Sequence, residues 1–239
     1  MTASSSDWGR KAEELYQPAY ARQYRQHDDE LERVEAYERF CGWLGQVCAS
    51  FERPIDALDI GCGTGRYFCA LRNVRSLVGI DASAAMLEEA RHPVNADLIT
   101  TGAIELVHGD VMSHDFAPAR FDLVYAIGVL AEHTPLDARV VANVARWVKP
   151  GGRFAFTTVH LESASVPKTV GRTVGRLMLP LTAGGIRRRL RDRLTSYGLY
   201  ADEASIRELL DRAFTIESMT RLHSEAHLHN LCVARRKAA

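Results

Sequence analysis

Two carboxylates and a run of glycines stand at a spacing that suits a nucleoside. Asp59 lies near the end of a short apolar run, Gly61-Cys62-Gly63-Thr64-Gly65 follows, and Asp81 closes the next apolar run, sixteen residues beyond Gly65. Glycine has no Cβ, so the main chain can turn sharply there and a ligand can lie against its N–H groups. A carboxylate at the tip of the adjoining strand is placed to accept from the hydroxyls of a ribose. The glycine pattern, G-x-G-x-G followed by Arg66, departs from the G-x-G-x-x-G of dinucleotide sites and speaks against an NAD-dependent oxidoreductase. Without Asp81, the same loop reads as a tight strand-to-helix turn and nothing more.

The elements that must position these residues follow from periodicity. Pro54 and the glycine cluster bound a buried parallel strand, and Arg66 to Leu71 reads as a helix whose N-terminus faces the loop. Ser76 to Asp81 is the second strand, Ala103 to Val107 the third and Phe121 to Ala126 the fourth. Between the second and third strands, Ser83 can cap a helix that carries Met86 and Ala90 on one face. Asp137 to Val148 is helical with a valine and tryptophan face, Lys149-Pro-Gly-Gly152 interrupts it, and Arg153 to Val159 is the fifth strand. Asp202 to Ala213 is an N-capped helix, and Phe214 to Met219 and His227 to Ala234 are the last two strands. His227 and His229 share a strand face, which reads as surface because no third ligand converges on them. Ahead of the sheet, Trp8 to Phe51 reads as two helices. Tyr16, Tyr20 and Tyr24 form one stripe of the first, packed on the core as a cap or closed over a ligand. Arg22 and Arg25 are candidates to meet a ligand carboxylate, although solvent exposure is the preferred reading.

Five segments in order, Leu58-Asp-Ile-Gly-Cys-Gly-Thr-Gly65, Val78-Gly-Ile-Asp-Ala-Ser83, His108-Gly-Asp110, Phe121-Asp-Leu-Val124 and Val148-Lys-Pro-Gly-Gly152, resemble the motifs of class I S-adenosylmethionine-dependent methyltransferases. The resemblance covers roughly residues 55–158. It implies an α/β fold, a Rossmann-like three-layer sandwich with a seven-stranded, mostly parallel sheet, its last strand antiparallel, and S-adenosylmethionine as cofactor. It also implies a cofactor site made from Asp59, Gly61, Cys62, Gly63, Asp81, Ala82, Met86, Asp110, Val111 and Ala126, with Asp110 on the adenine amine and the Val111 N–H on a ring nitrogen. Residues 1–53 would then be an N-terminal helical cap or lid, residues 54–239 the cofactor-binding domain, and residues 160–200 an insertion over the substrate.

The ligand crevice of such a sheet lies beyond the carboxyl ends of its strands, so Ala126-Ile-Gly128 would line the methyl-transfer centre. The absence there of an Asn/Asp-Pro-Pro-aromatic stretch argues against methylation of adenine or glutamine amide nitrogen. Leu130-Ala-Glu-His-Thr-Pro135 resembles a segment of quinone-biosynthesis O-methyltransferases in which an upstream glutamate helps hold a metal; here that position is Val129, and no metal is expected. His133 is the leading proton acceptor, because imidazole titrates near neutral pH, although a histidine at a helix start packed beneath the site fits the same position. His160, with Glu162, is a second catalytic candidate. The Arg187–Arg193 run reads as a solvated helix face, a site for an acidic substrate, or a protein or carrier contact.

Composition bounds the rest. With 239 residues, 46% hydrophobic and formally uncharged overall, the chain supports one substantial core and gives no electrostatic reason to expect a nucleic-acid partner. Five cysteines without a C-x-x-C pair, a polar start and no long apolar run fit a cytoplasmic protein that does not enter a membrane, as a monomer or homodimer. The expected activity is methyl transfer to a small-molecule substrate, oxygen favoured over nitrogen. The alternatives are a non-catalytic cofactor-binding protein and an enzyme for a carrier-bound or macromolecular substrate.

Overall fold

The computed structural model describes residues 7–30, 35–160, 162–163, 201–224 and 227–238. Seven strands form one sheet: β1 (Ile55–Ile60), β2 (Val74–Asp81), β3 (Ala103–His108), β4 (Phe121–Ala126), β5 (Val148–Val159), β6 (Phe214–His223) and β7 (Leu228–Arg236). Their spatial order is β3-β2-β1-β4-β5-β7-β6, and only β7 runs antiparallel to its neighbours. The expected architecture is therefore present. The order reverses direction between β1 and β4, which leaves a crevice beyond the ends of those two strands.

Why the sheet is buried on both faces is visible in β4. All six of its residues are buried, and strand alternation sends Val124 and Ala126 into one apolar cluster and Leu123 and Tyr125 into the other. The first cluster is closed by helix α5 (Ala138–Trp147), which contributes Val140, Val141, Val144 and Trp147, and by α6 (Glu203–Leu210), which contributes Ile206 and Leu210. Asp137 caps α5 by accepting from the Arg139 and Val140 N–H groups, each at 2.9 Å. The second cluster is closed by α3 (Glu35–Ala49) through Phe40, Leu44, Val47 and Cys48. Helix α4 (Ala84–Ala90) follows β2 and buries Met86, Leu87 and Ala90.

Local structure departs from expectation where a turn outweighs periodicity. The segment after the glycine loop forms one 3-10 turn, Phe68–Ala70, because Phe68 to Leu71 are all buried and offer an α-helix no solvent face. Asn73, with φ 57°, then turns the chain into β2. Ahead of the sheet there are three helices rather than two: α1 (Asp7–Leu15), α2 (Pro18–Asp28) and α3. Pro18 holds Gln17 extended and separates α1 from α2, so Tyr16 precedes the helix that carries Tyr20 and Tyr24. The three rings still form one row, Tyr16 edge-on to Tyr20 with centroids 5.4 Å apart and Tyr20 stacked on Tyr24 at 6.2 Å. Strand β5 begins at Val148 and runs through Pro150 and the two glycines, and β6 and β7 exceed their expected lengths. His229 is buried against Phe40 at 5.2 Å, which corrects its reading as strand surface. The Arg187–Arg193 run and most of the 160–200 segment lie outside the described residues.

Candidate functional site

The crevice beyond β1, β2 and β4 is a cavity roofed by α1 and α2. Its floor is the loop that leaves β1. The Gly61 and Cys62 N–H groups both donate to the Ile80 carbonyl, at 2.7 and 3.1 Å, tying the loop to β2. Gly61 has φ 68°, and a Cβ there would stand 2.5 Å from the Val129 side chain, so neither backbone nor space admits another residue. The Gly63 N–H donates to Asp81 Oδ2 at 2.8 Å, and the Ser83 N–H donates to Oδ1 at 2.9 Å. Burial raises the pKa of Asp81, and these N–H groups oppose the shift. Asp59 is wholly enclosed beside Tyr125, its partner across β4, and burial holds its carboxyl far above the usual range.

At the far end of the floor, the Asp110 carboxylate accepts from the Met112 N–H at 2.9 Å while the Gly109 N–H donates to the Asp81 carbonyl at 2.9 Å. This brings the two acidic strand ends to one wall. Ala82, Met86, Val111 and Cys62 line the same cavity. Ala126 is fully buried and does not; Ile127, Gly128 and Val129 form the wall beyond β4.

The opposite wall joins the helices to the loop after β4. There the Val129 carbonyl accepts from the N–H groups of Glu132, His133 and Thr134, with Ala131 at φ 60°. This tight turn presents His133 at the cavity mouth. Its ring is solvent-accessible, its Nε2 lies 3.4 Å from the Tyr16 hydroxyl, and crowding within the concave wall lowers its pKa through desolvation. Glu132, next to it, has a buried Oε1 with no hydrogen-bond partner, and desolvation pushes its carboxyl up to about 7. The Ser83 hydroxyl donates to the Tyr16 carbonyl at 2.8 Å, fastening the end of α1 to β2. His160 lies elsewhere, buried at the end of β5, where its Nδ1 accepts from the Glu162 N–H at 3.0 Å; it is not among the cavity's lining residues.

Sequence reading missed a cluster at the third corner. The Asp28 side chain, on α2, is inaccessible to solvent; it accepts from Arg66 Nη2 at 2.5 Å and from the Thr64 hydroxyl, and the Tyr24 ring stacks 4.3 Å from the Arg66 guanidinium. Asp28 belongs to the acidic run Asp28-Asp-Glu30, which looks solvated in sequence, and Thr64 and Arg66 were hidden among the glycines. Arg25 pairs with Asp29 and donates to the His92 carbonyl, while Arg22 is exposed, so neither reaches the cavity. Among the described residues no group of three His, Cys, Asp or Glu is gathered for a metal ion.

Residues 58–156 match a family model described as a methyltransferase domain. This stretch carries the signature of a methyltransferase domain. Among curated proteins, it is similar to O-methyltransferase resE of Aspergillus sclerotiorum, 32% identical over 108 residues that span 44% of this chain and 40% of that one. A demethylmenaquinone methyltransferase of Bacillus cereus is 30% identical over 156 residues, 63% of this chain and 62% of the relative. The alignments thus span about half the length of these relatives. Among solved structures, magnesium protoporphyrin IX methyltransferase from Synechocystis with bound S-adenosylhomocysteine superposes with a TM-score of 0.65 at 18% identity, covering 97% of this chain and all of that one. That likeness concerns the fold. The cavity brings together the glycine loop after β1, the acidic strand ends Asp81 and Asp110, and the rings of Trp8, Tyr16, Tyr24 and Tyr67.

Proposed function

We propose that the chain transfers a methyl group from S-adenosylmethionine to a small-molecule acceptor, with oxygen favoured over nitrogen. The observation that carries this reading is the convergence of Asp81, Asp110 and the glycine hollow on one cavity whose other wall holds the Tyr16–His133 pair. Asp81 binds the ribose hydroxyls, Asp110 and Val111 the adenine, Met86 its face, and Gly61, Cys62 and Gly63 lie along the amino-acid chain, with Asp59 beneath it. The cofactor supplies an electrophilic methyl, so the protein's task is to orient an acceptor in line behind it and to exclude water.

A hydroxyl acceptor also loses a proton. His133, neutral near pH 7 because its pKa is lowered, is the group placed to take it, and Tyr16 holds the imidazole by its Nε2 edge. His160, away from the wall, has the weaker claim to that role. The preference for oxygen draws support from the name of one relative, an O-methyltransferase, and from the likeness of Leu130–Pro135 to a segment of quinone-biosynthesis O-methyltransferases. Within residues 1–53, α1 and α2 act as the lid, since they roof the cavity and are fastened to it at Ser83 and Thr64, whereas α3 packs on the sheet.

The test is incubation with methyl-labelled S-adenosylmethionine and a metabolite extract, followed by mass spectrometry. A labelled small molecule together with S-adenosylhomocysteine is the expected result. Bound cofactor with no labelled product in any extract would overturn the transfer reading.

A further inference from the structure

The described lining of the cavity is mostly uncharged, with three carboxyl groups and one permanent cation. Asp59, Asp81 and Asp110 all line it, whereas among the described lining residues Arg66 alone carries a guanidinium or ammonium. A methionine moiety brings a carboxylate as well as an ammonium and a sulfonium. The two cations suit the carboxylates and the aromatic rings, which leaves the anion in need of a positive partner. Arg66 is held ready for one. Its Nη2 is fixed by Asp28, its plane is stacked on Tyr24, its side chain is 19% exposed, and its Nε has no hydrogen-bond partner although it is shielded from solvent. One carboxylate therefore engages one edge of a fork with five donors. The Tyr37 hydroxyl, on α3, donates to the Arg66 carbonyl at 2.9 Å and fixes the backbone as well.

On the reading that the adenosyl group binds at Asp81 and Asp110, we infer that Arg66 receives the α-carboxylate of the cofactor's amino-acid end. Because Asp28 and Tyr24 of α2 hold Arg66, that carboxylate also locks the helical roof in place. The site then distinguishes ligands by their amino-acid end. S-adenosylhomocysteine satisfies both the adenosine wall and Arg66; 5′-methylthioadenosine satisfies only the first.

Calorimetry with these two ligands tests the inference. In Arg66→Gln, S-adenosylhomocysteine affinity falls about 30-fold, the scale of a lost charge-assisted contact, while 5′-methylthioadenosine affinity stays within about twofold of wild type. Arg66→Lys recovers part of the loss. In the wild-type protein, hydrogen exchange in residues 18–28 slows with S-adenosylhomocysteine and is unchanged by 5′-methylthioadenosine. Equal weakening of both ligands would assign Arg66 a purely structural role and overturn the inference. Should Arg66→Gln fail to fold, wild-type protein decides: equal affinity for S-adenosylhomocysteine and its decarboxylated analogue would also overturn it. A wild-type protein that bound no adenosyl ligand would refute the underlying cofactor assignment instead, and the two failures are thus distinct.

Discussion

At the scale of single residues, the site depends on positions where one atom more or less is decisive. Gly61 has a left-handed φ and no room for a Cβ, so Gly61→Ala combines backbone strain with a clash against Val129. We expect a stability loss of about 2–4 kcal/mol by urea unfolding and a matching loss of S-adenosylhomocysteine binding. His133 makes a prediction in pH. Its lowered pKa keeps the ring neutral further into the acid range, so the acid limb of kcat should lie below the ordinary histidine value of 6.5. His133→Ala should remove that limb and lower kcat by about 10²–10⁴ with cofactor affinity preserved; near wild-type turnover would remove its catalytic role. Asp81 stood out as a carboxylate at a strand end and Asp110 and Met86 through the motifs they share with the family, and all three line the cavity. The Tyr16–His133 contact was not legible, since 117 residues separate its members and nothing in the pattern around either one points to the other.

At the scale of elements, strands were read more reliably than the helices around them. β1 to β4 are short apolar runs with abrupt polar ends, and β4 falls on the residues its sequence marks. The roof was harder because its break depends on a single proline, and the tyrosine periodicity continues across it. The expected helix after the glycine loop failed for the opposite reason. Phe68 to Leu71 are apolar enough, but all four are buried in a connection that closes directly into β2. Helix α5 offers a clean test of what was read correctly. Its cap, Asp137, bonds two N–H groups that have no other partner within the helix, so Asp137→Ala should cost about 1 kcal/mol in urea unfolding. Trp147, fully buried on the same helix, should cost about 3–5 kcal/mol as Trp147→Ala. Neither touches the cavity wall, and S-adenosylhomocysteine affinity of the folded variants should be unchanged.

At the scale of the whole molecule, the sheet separates function from a stabilising network at its opposite end. There Asp122 accepts from the Asp56 N–H at 3.0 Å, from Lys149 at 2.8 Å and from Arg53 at 2.5 Å, while Arg75 pairs with Asp56 at 2.5 Å. Burial pushes both carboxyls up, but these donors and cations outweigh it. Asp122 ends below the ordinary carboxylate range, and Asp56, aided by Arg75 and Ser76, at about 2. A carboxyl whose pKa is lower folded than unfolded stabilises the fold above its unfolded pKa and loses that contribution as the pH falls through its folded pKa. The network should therefore be fully effective at neutral pH and fade between about pH 4 and pH 2. Asp122→Asn removes the charge without removing the side chain. Its stability deficit should be largest near pH 7 and shrink steadily toward pH 2, with adenosyl-ligand affinity at pH 7 unaffected because the cavity lies at the other strand ends. A deficit that stayed constant across that range would mean that side-chain packing rather than charge holds this end of the sheet.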